Sequence, residues 1–182
     1  VDSFKQLEAS GLIKTSNRFD VIAYELAEAY GMTMRDANRY LTELFRVRPL
    51  VLESRDGFVN DRVQAFADVG LVPIMLALKV FDTDAFASVV QKFEIEPLYH
   101  AFSKSEAAMD FMDATWGSYI KFEEGKTPSD EDKVGARHEL LETLVYMIWC
   151  KDRNNSKYQH SYKVLIGRSW GFDSLPRLAK II

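Results

Sequence analysis

Cysteine is almost absent from this chain of 182 residues, which contains Cys150 alone. One thiol cannot form an intramolecular disulfide, and it cannot build a zinc site from several cysteines. Cys150 follows Ile148 and Trp149, so we expect a buried and inert side chain. Because no disulfide calls for an oxidising compartment, the cytoplasm is the expected location.

Long hydrophobic runs are missing as well. No apolar stretch approaches the roughly 20 residues that a helix needs to cross a bilayer, and no secretory signal peptide is recognisable. The sequence therefore predicts no membrane partner.

Histidine is scarce, and so are the motifs that hold phosphates or metals. The chain has no glycine-rich phosphate-binding loop and no HExxH zinc motif. Its three histidines are His100, His138 and His160. Glu96 precedes His100 by four residues and Glu142 follows His138 by four, but two side chains on one helix face make only a weak metal site. We expect no catalytic residue, no cofactor and no metal, and therefore no enzyme.

Charge is distributed unevenly, although the net charge of the chain is only −4. Residues 1–62 carry 9 basic and 10 acidic side chains, and residues 63–150 carry 7 basic and 15 acidic ones. Residues 151–182 carry 7 basic and 2 acidic side chains. DNA phosphates would repel the acidic middle, whereas the two ends could face them.

The stretch AYELAEAYGMTMRDANRYLT at residues 23–42 predicts two short helices joined by one turn. Gly31 adopts a positive φ at little cost, so the first helix is expected to end there. Thr33 is the predicted N-cap of the second helix, and Asp36 can cap back three residues later. This spacing is typical of a helix-turn-helix, whose second helix enters the major groove of DNA. The same spacing also occurs in ordinary helical hairpins.

The second predicted helix, from Met34 to about Arg46, would expose a polar face. Arg35 and Arg39 are four residues apart and share that face. There they could reach guanine edges or phosphates, and Asn38 could pair with adenine. The alternative interpretation is a solvated helix face that binds nothing. The predicted DNA-binding residues are Thr33, Met34, Arg35, Asn38, Arg39, Thr42, Arg46, Arg48 and Arg55.

A small β-hairpin is predicted directly after these helices. Leu50, Val51 and Leu52 are interpreted as its first strand, and residues 54–57 (SRDG) contain Asp-Gly, a strong signal for a hairpin turn. Residues 58–59 (FV) can form the returning strand.

A helix-turn-helix followed by such a hairpin resembles the winged-helix DNA-binding domain. The matching residues are 26–44 for the two helices and 50–57 for the wing, about the first third of the chain. The resemblance implies a winged helix over residues 1–62, with Arg55 at the tip of the wing, where it could contact the minor groove or the DNA backbone.

The remainder of the chain, residues 63–182, has helical periodicity. The predicted fold class is therefore mainly α: an N-terminal winged helix-turn-helix with a small β-hairpin at residues 1–62, followed by an all-helical domain. Val72–Phe81 is nearly all apolar, so this helix is expected to be buried or to lie in an interface. Residues 151–182 form a basic tail with interleaved aromatics, typical of a surface for nucleic acid or a protein partner. Alternatively, these aromatics dock the tail on the helical core.

Several helix ends in this region are also predicted from single residues. Gly70 is expected to close one helix, and Asp82, Thr83 or Asp84 is expected to cap a helix that continues to Phe93. Thr127, followed by Pro128, is the expected start of a helix that runs to Trp149 or Lys151.

Together these patterns favour a sequence-specific DNA-binding protein, a transcriptional regulator with double-stranded DNA as its partner. Residues 63–182 would dimerise, sense a ligand or contact another protein, and a homodimer would place its recognition helices about 34 Å apart on the DNA. The layout resembles that of GntR-type regulators with a helical effector domain. Those domains commonly hold a metal with several histidines, whereas His100 and His138 are the histidines that the helices offer here.

Two other functions fit the same patterns. A protein-interaction module is favoured by the acidic region at residues 63–150, which could cover a basic surface on a partner. A phage- or plasmid-type replication, packaging or partition factor would use the same DNA-binding head.

Overall fold

The computed structural model describes residues 18–53, 65–116, 129–150 and 175–182. Every regular element in these ranges is helical, and no β-strand occurs in them. The α-helices are α1 (Arg18–Ala29), α2 (Met34–Glu53), α3 (Val72–Phe81), α4 (Thr83–Ala87), α5 (Glu96–Phe102), α6 (Glu106–Trp116), α7 (Asp130–Trp149) and α8 (Leu175–Ile181). Two π-helical turns, Ala67–Leu71 and Ser88–Lys92, lie directly before α3 and directly after α4. None of the helices described here is both long enough and apolar enough to cross a membrane.

The predicted β-hairpin is wrong where the structure describes it. Leu50, Val51 and Leu52 form the end of α2, which continues to Glu53 and does not end near Arg46. The predicted turn and returning strand lie outside the described residues.

Burial along one side of α2 explains why the helix continues. Val47 and Val51 are buried and extend the stripe of Tyr40 and Leu44 at intervals of three and four residues. Pro49 lies inside the helix and removes one backbone hydrogen bond. Because Pro49 faces solvent, water can satisfy the carbonyl group that it leaves unbonded. Tertiary packing therefore outweighs the strand propensity of this segment.

Helix α3 lies at the centre of the core. All of its side chains from Val72 to Leu78 are buried, which confirms the prediction for this apolar segment. It contacts α1, α2, α4 and α5. Each Leu, Ile or Met side chain buried in this way contributes roughly 1.5–3 kcal/mol to folding.

The predicted boundary between the two domains, at residue 62, lies outside the described residues. The helices before and after it share one hydrophobic core, which includes residues from α1 through α8. Helix α8 packs against both α7 and α2. The Lys79 ammonium on α3 also donates a hydrogen bond to the carbonyl of Ile182, directly after α8.

Gly70 does not end a helix, contrary to the prediction. It lies within the π-helical turn that leads into α3, and a Cβ atom at this position would lie 2.9 Å from Cε2 of Phe66. The Phe66 ring stacks on Phe102 with 5.5 Å between the centroids. The glycine therefore allows an aromatic ring to approach the backbone closely.

Of the three predicted candidates, Asp82 caps α4, since its Oδ1 accepts a hydrogen bond from the Ala85 backbone at 3.0 Å. The helix does not continue regularly to Phe93, because α4 passes into a π-helical turn after Ala87. Phe93 then adopts a φ of 58°, in the left-handed region that non-glycine residues seldom occupy. Its ring packs against Tyr146 with 6.4 Å between the centroids, and this packing offsets the backbone strain.

Helix α7 begins two residues later than predicted. Ser129, and not Thr127, is its N-cap: Ser129 Oγ accepts from the Asp132 backbone at 3.1 Å, and Asp132 Oδ2 accepts from the Ser129 backbone at 2.8 Å. Ser129 is favoured because this reciprocal bonding satisfies two free N–H groups at the helix end. From Leu140 to Ile148 nearly every side chain of α7 is buried.

Candidate nucleic-acid interface

Helices α1 and α2 form the predicted pair joined by a tight turn. Gly31 has a φ of 58° and its backbone N–H bonds to the Glu28 carbonyl at 3.0 Å, while the Met32 N–H bonds to the Ala27 carbonyl at 2.9 Å. This pattern is a Schellman C-cap. No atom lies within 4 Å of a Cβ built at Gly31, so the backbone conformation, and not a lack of space, requires the glycine.

The N-terminus of α2 is capped as the sequence predicts. Thr33 Oγ1 accepts a hydrogen bond from the Asp36 backbone at 3.3 Å, and Asp36 Oδ2 accepts from the Thr33 backbone at 3.3 Å and from its hydroxyl at 2.6 Å. The hydroxyl bond lowers the pKa of Asp36, and the positive charges of Arg35 and Arg39 lower it further. The Thr33 hydroxyl is thus already engaged in the cap.

The inner face of α2 fixes the direction of its outer face. Ala37 and Tyr40 are fully buried, and the Tyr40 hydroxyl donates to the Pro73 carbonyl of α3 at 2.9 Å. Burial raises the pKa of Tyr40 well above its ordinary value of 10.0, so the phenol stays protonated and remains a donor. The opposite side of α2 must therefore face away from the core.

That outer face carries five of the nine predicted DNA-binding residues. These are Met34, Arg35, Asn38, Arg39 and Thr42, and all are exposed. The guanidinium groups of Arg35 and Arg39 form no hydrogen bond and no salt bridge with the described residues, although their charges act on Asp36. The Thr42 hydroxyl donates to the Asn38 carbonyl at 2.7 Å, so it is partly occupied by its own helix.

The other predicted arginines are placed differently. Both Nε and Nη2 of Arg46 bond to Oε2 of Glu43, at 3.0 and 2.8 Å. Arg48 turns toward α1: its guanidinium lies 5.2 Å from the centre of the Phe19 ring and 3.8 Å from Oδ1 of Asp20. Arg55 lies outside the described residues.

Acidic side chains near this face would repel DNA phosphates, but that of Glu25 points inward. Oε2 of Glu25 accepts hydrogen bonds from the Ser105 hydroxyl at 2.6 Å and from the Ala107 backbone at 3.1 Å. Glu25 therefore caps the start of α6. Glu28 is exposed on α1, and Asp36 and Glu43 hold the contacts described above.

The C-terminal half of the same face carries exposed apolar side chains beside Arg46. The sequence interpretation missed this feature because it ended the helix near Arg46. Phe45 and Leu50 are 46% and 40% exposed, and Pro49 is exposed between them. The three-to-four-residue spacing of Leu44, Val47 and Val51 was the available signal.

Of the two histidines in the described ranges, His100 is exposed and His138 contacts neighbouring side chains. His138 packs on the ring of Tyr99 with 4.2 Å between the centroids, and its Nε2 lies 3.9 Å from Oε2 of Glu96. Within these ranges no group of three or more His, Cys, Asp or Glu side chains is arranged to hold a metal. Cys150 is half-buried.

The sequence also contains one pattern that occurs in catalytic sites. Residues 167–171 read GRSWG, which matches the GxSxG nucleophile elbow. That elbow works at the end of a strand in an α/β sheet, with His and Asp or Glu partners. Residues 167–171 lie outside the described residues, and the described helices provide no such sheet. The expectation that the chain is not an enzyme stays a prediction.

Comparison of the chain with protein-family models, with curated proteins and with solved structures finds no match. The site must therefore be interpreted from its own residues.

Proposed function

We propose that this chain binds double-stranded DNA through the N-terminal half of the outer face of α2. The observation that carries the proposal is the pair Arg35 and Arg39. They lie four residues apart on an exposed helix face, and their guanidinium groups form no salt bridge with the described residues. Exposed arginines without a protein partner are available for guanine or phosphate.

The geometry of the helix pair supports this use. A Schellman cap ends α1 and a capping box starts α2, so the turn between them is well defined. In a helix-turn-helix it is the start of the second helix that contacts base edges. Arg35 and Arg39 would contact guanine, Asn38 would contact adenine, and Met34 would contact a thymine methyl group.

Regulation of transcription by a cytoplasmic homodimer is the biological role that we propose. Two copies related by a two-fold axis would contact successive major grooves on one side of the DNA. The wing is not part of this proposal, because its predicted first strand is helical.

Selection from a random-sequence DNA library at near-physiological salt tests the proposal. We expect an enriched site with two-fold symmetry. Arg35→Ala combined with Arg39→Ala should weaken binding to that site by at least about 30-fold, since a good bidentate contact contributes about 1–3 kcal/mol. Affinity is measured by fluorescence anisotropy in a salt titration.

The matched control removes two positive charges from other elements. Lys92→Ala combined with Lys133→Ala changes residues of the second π-helical turn and of α7, and it should leave the specific affinity within about threefold. Equal losses in both double variants, or no enrichment at all, would contradict a DNA-binding role for α2.

A protein-interaction module is the second candidate, and the exposed apolar side chains Phe45, Pro49 and Leu50 favour it. Apolar groups on a surface are typical of protein interfaces when they form a patch. Phe45→Ser would abolish binding to such a partner, whereas specific DNA binding by Arg35 and Arg39 would persist.

A further inference from the structure

An open groove of about 870 Å³ lies beside the turn between α1 and α2. Leu78 of α3, Ala85 of α4 and Ile95, which precedes α5, give it an apolar lining. Tyr30, the last residue before Gly31, forms part of its wall. Grooves of about 300–1,000 Å³ with an apolar lining and a few polar groups are typical of sites for small organic molecules.

The polar groups of this groove are mainly acidic. Asp82, Glu94 and Glu96 line it. Oδ1 of Asp82 caps α4, and the Glu96 carboxylate is 80% exposed and 3.9 Å from His138 Nε2. The Glu94 side chain has no hydrogen bond and no ion pair with any residue in the described ranges. The groove therefore offers carboxylates that its own cations do not neutralise.

An ammonium group already lies against the aromatic wall. Nζ of Lys104 is 5.1 Å from the centre of the Tyr30 ring, a distance suited to a cation–π contact. The Tyr30 ring also stacks on Phe81 with 5.9 Å between the centroids. The groove thus combines an aromatic wall, an apolar lining and an acidic rim.

We propose that this groove binds a small organic amine. Its ammonium group would lie at the carboxylates of Glu94 and Glu96, and its apolar body would pack on Leu78 and Ile95. An organic anion is disfavoured, because three carboxylates line the groove, whereas the basic side chains in its lining are those of Lys104 and His100.

Tyr30 connects this groove to α2. An occupant touching Tyr30 contacts the turn that sets the direction of α2, so it would alter DNA binding. This consequence rests on the proposed function, whereas amine binding itself does not.

A matched set of three probes tests the charge preference without DNA. Phenethylamine, 2-phenylethanol and phenylacetate share a phenyl ring and differ in charge. They are titrated into the 182-residue chain at neutral pH, and amide shifts are followed by two-dimensional NMR. We expect phenethylamine to bind about three- to tenfold more tightly than 2-phenylethanol, since exposed ion pairs are weak individually, and phenylacetate to bind most weakly. The largest shifts are expected at Tyr30, Ala85 and Ile95.

Removing the charge of Glu94 tests whether phenethylamine binds in this groove. Glu94→Gln should reduce phenethylamine affinity toward that of 2-phenylethanol and leave the alcohol unchanged. Glu131→Gln, the same substitution at an exposed position of α7, should change neither. Equal affinity for the three probes, no binding up to about 10 mM, or shifts confined to other surfaces would overturn the proposal. Because no DNA is present, these outcomes are independent of any failure to bind DNA.

Discussion

The two longest helices in the described residues, α2 and α7, are each 20 residues long and start with the same chemistry. Thr33 with Asp36 caps α2, and Ser129 with Asp132 caps α7. The two helices differ in the bonding partners of their basic side chains. Lys133 of α7 bonds to Asp130 at 3.2 Å, and Arg137 forms two hydrogen bonds with Asp113 of α6. On α2, Arg35 and Arg39 have no such partners among the described residues.

The difference shows that two helices with the same kind of N-cap can have different roles. The caps are local, because they use residues three apart in sequence. What each helix does depends on which side chains its other residues meet after folding. Arg137 bonds α7 to α6, whereas Arg35 and Arg39 of α2 remain available to a partner.

The largest effect on the free energy of unfolding is expected for a substitution in the buried half of α7. Leu144 is fully buried, so Leu144→Ala should lower the free energy of unfolding by about 2–5 kcal/mol through lost burial and a cavity. Urea denaturation measures the change. Val134→Ala in the same helix, at a position 40% exposed, should change it by less than about 0.5 kcal/mol. Similar losses in both variants would show that this half of α7 is not a core element.

A smaller effect distinguishes the arginines of the two helices. The side-chain bonds to Asp113, 2.7 and 2.6 Å long, raise the pKa of Arg137. Arg137→Ala should therefore cost about 1 kcal/mol of folding stability, since paired bidentate bonds are the stronger kind. Arg35→Ala should leave stability unchanged within about 0.5 kcal/mol. If Arg35→Ala proves as costly as Arg137→Ala, the arginines of α2 also stabilise the fold, and the comparison fails.

The loss of an N-cap is expected to have an equal effect in the two helices. Thr33→Ala and Ser129→Ala should each cost about 1 kcal/mol, since each removes an N-cap. Thermal unfolding followed by circular dichroism measures both losses. A much larger loss for one cap would show that its residue has a further role.

The caps also predict how stability depends on pH. Hydrogen bonds from Thr33 and Ser129 hold the pKa values of Asp36 and Asp132 below the ordinary value of 3.8. A carboxyl group with a lowered pKa in the folded state stabilises the fold above its unfolded pKa, and this contribution is lost as the pH falls through the folded pKa. Asp36→Asn and Asp132→Asn should therefore flatten the acid side of the stability profile.

Much of the fold near α2 was predictable because it depends on local chemistry. Gly31, Thr33 and Asp36 act within a few residues of their own positions, and the helical period places Arg35 and Arg39 on one face. The apolar segment around α3 was predictable for a similar reason, since a helix without a polar side must be covered.

The sequence predictions failed where contacts between residues far apart in sequence determine the structure. The strand propensity of Leu50 and Leu52 was outweighed by the burial of Val47 and Val51 against the core. The sequence predicts a helix end at Gly70, whereas the glycine is needed for the close approach of the Phe66 ring, a tertiary contact that sequence spacing does not reveal. Likewise, the pairing of Arg48 with Asp20 depends on how α1 and α2 pack together, which the spacing of residues in sequence does not fix.

The contact of Glu25 with the start of α6 has a consequence for folding. The carboxylate that accepts from the Ala107 amide lies 82 residues earlier in the chain, so the first turn of α6 completes its hydrogen bonding only after α1 has docked. Closing so long a loop before its contacts form slows folding. Amide exchange of Ala107 with solvent deuterium should then require separation of α1 from α6, so its protection would approach that of the whole core although it lies at a helix end.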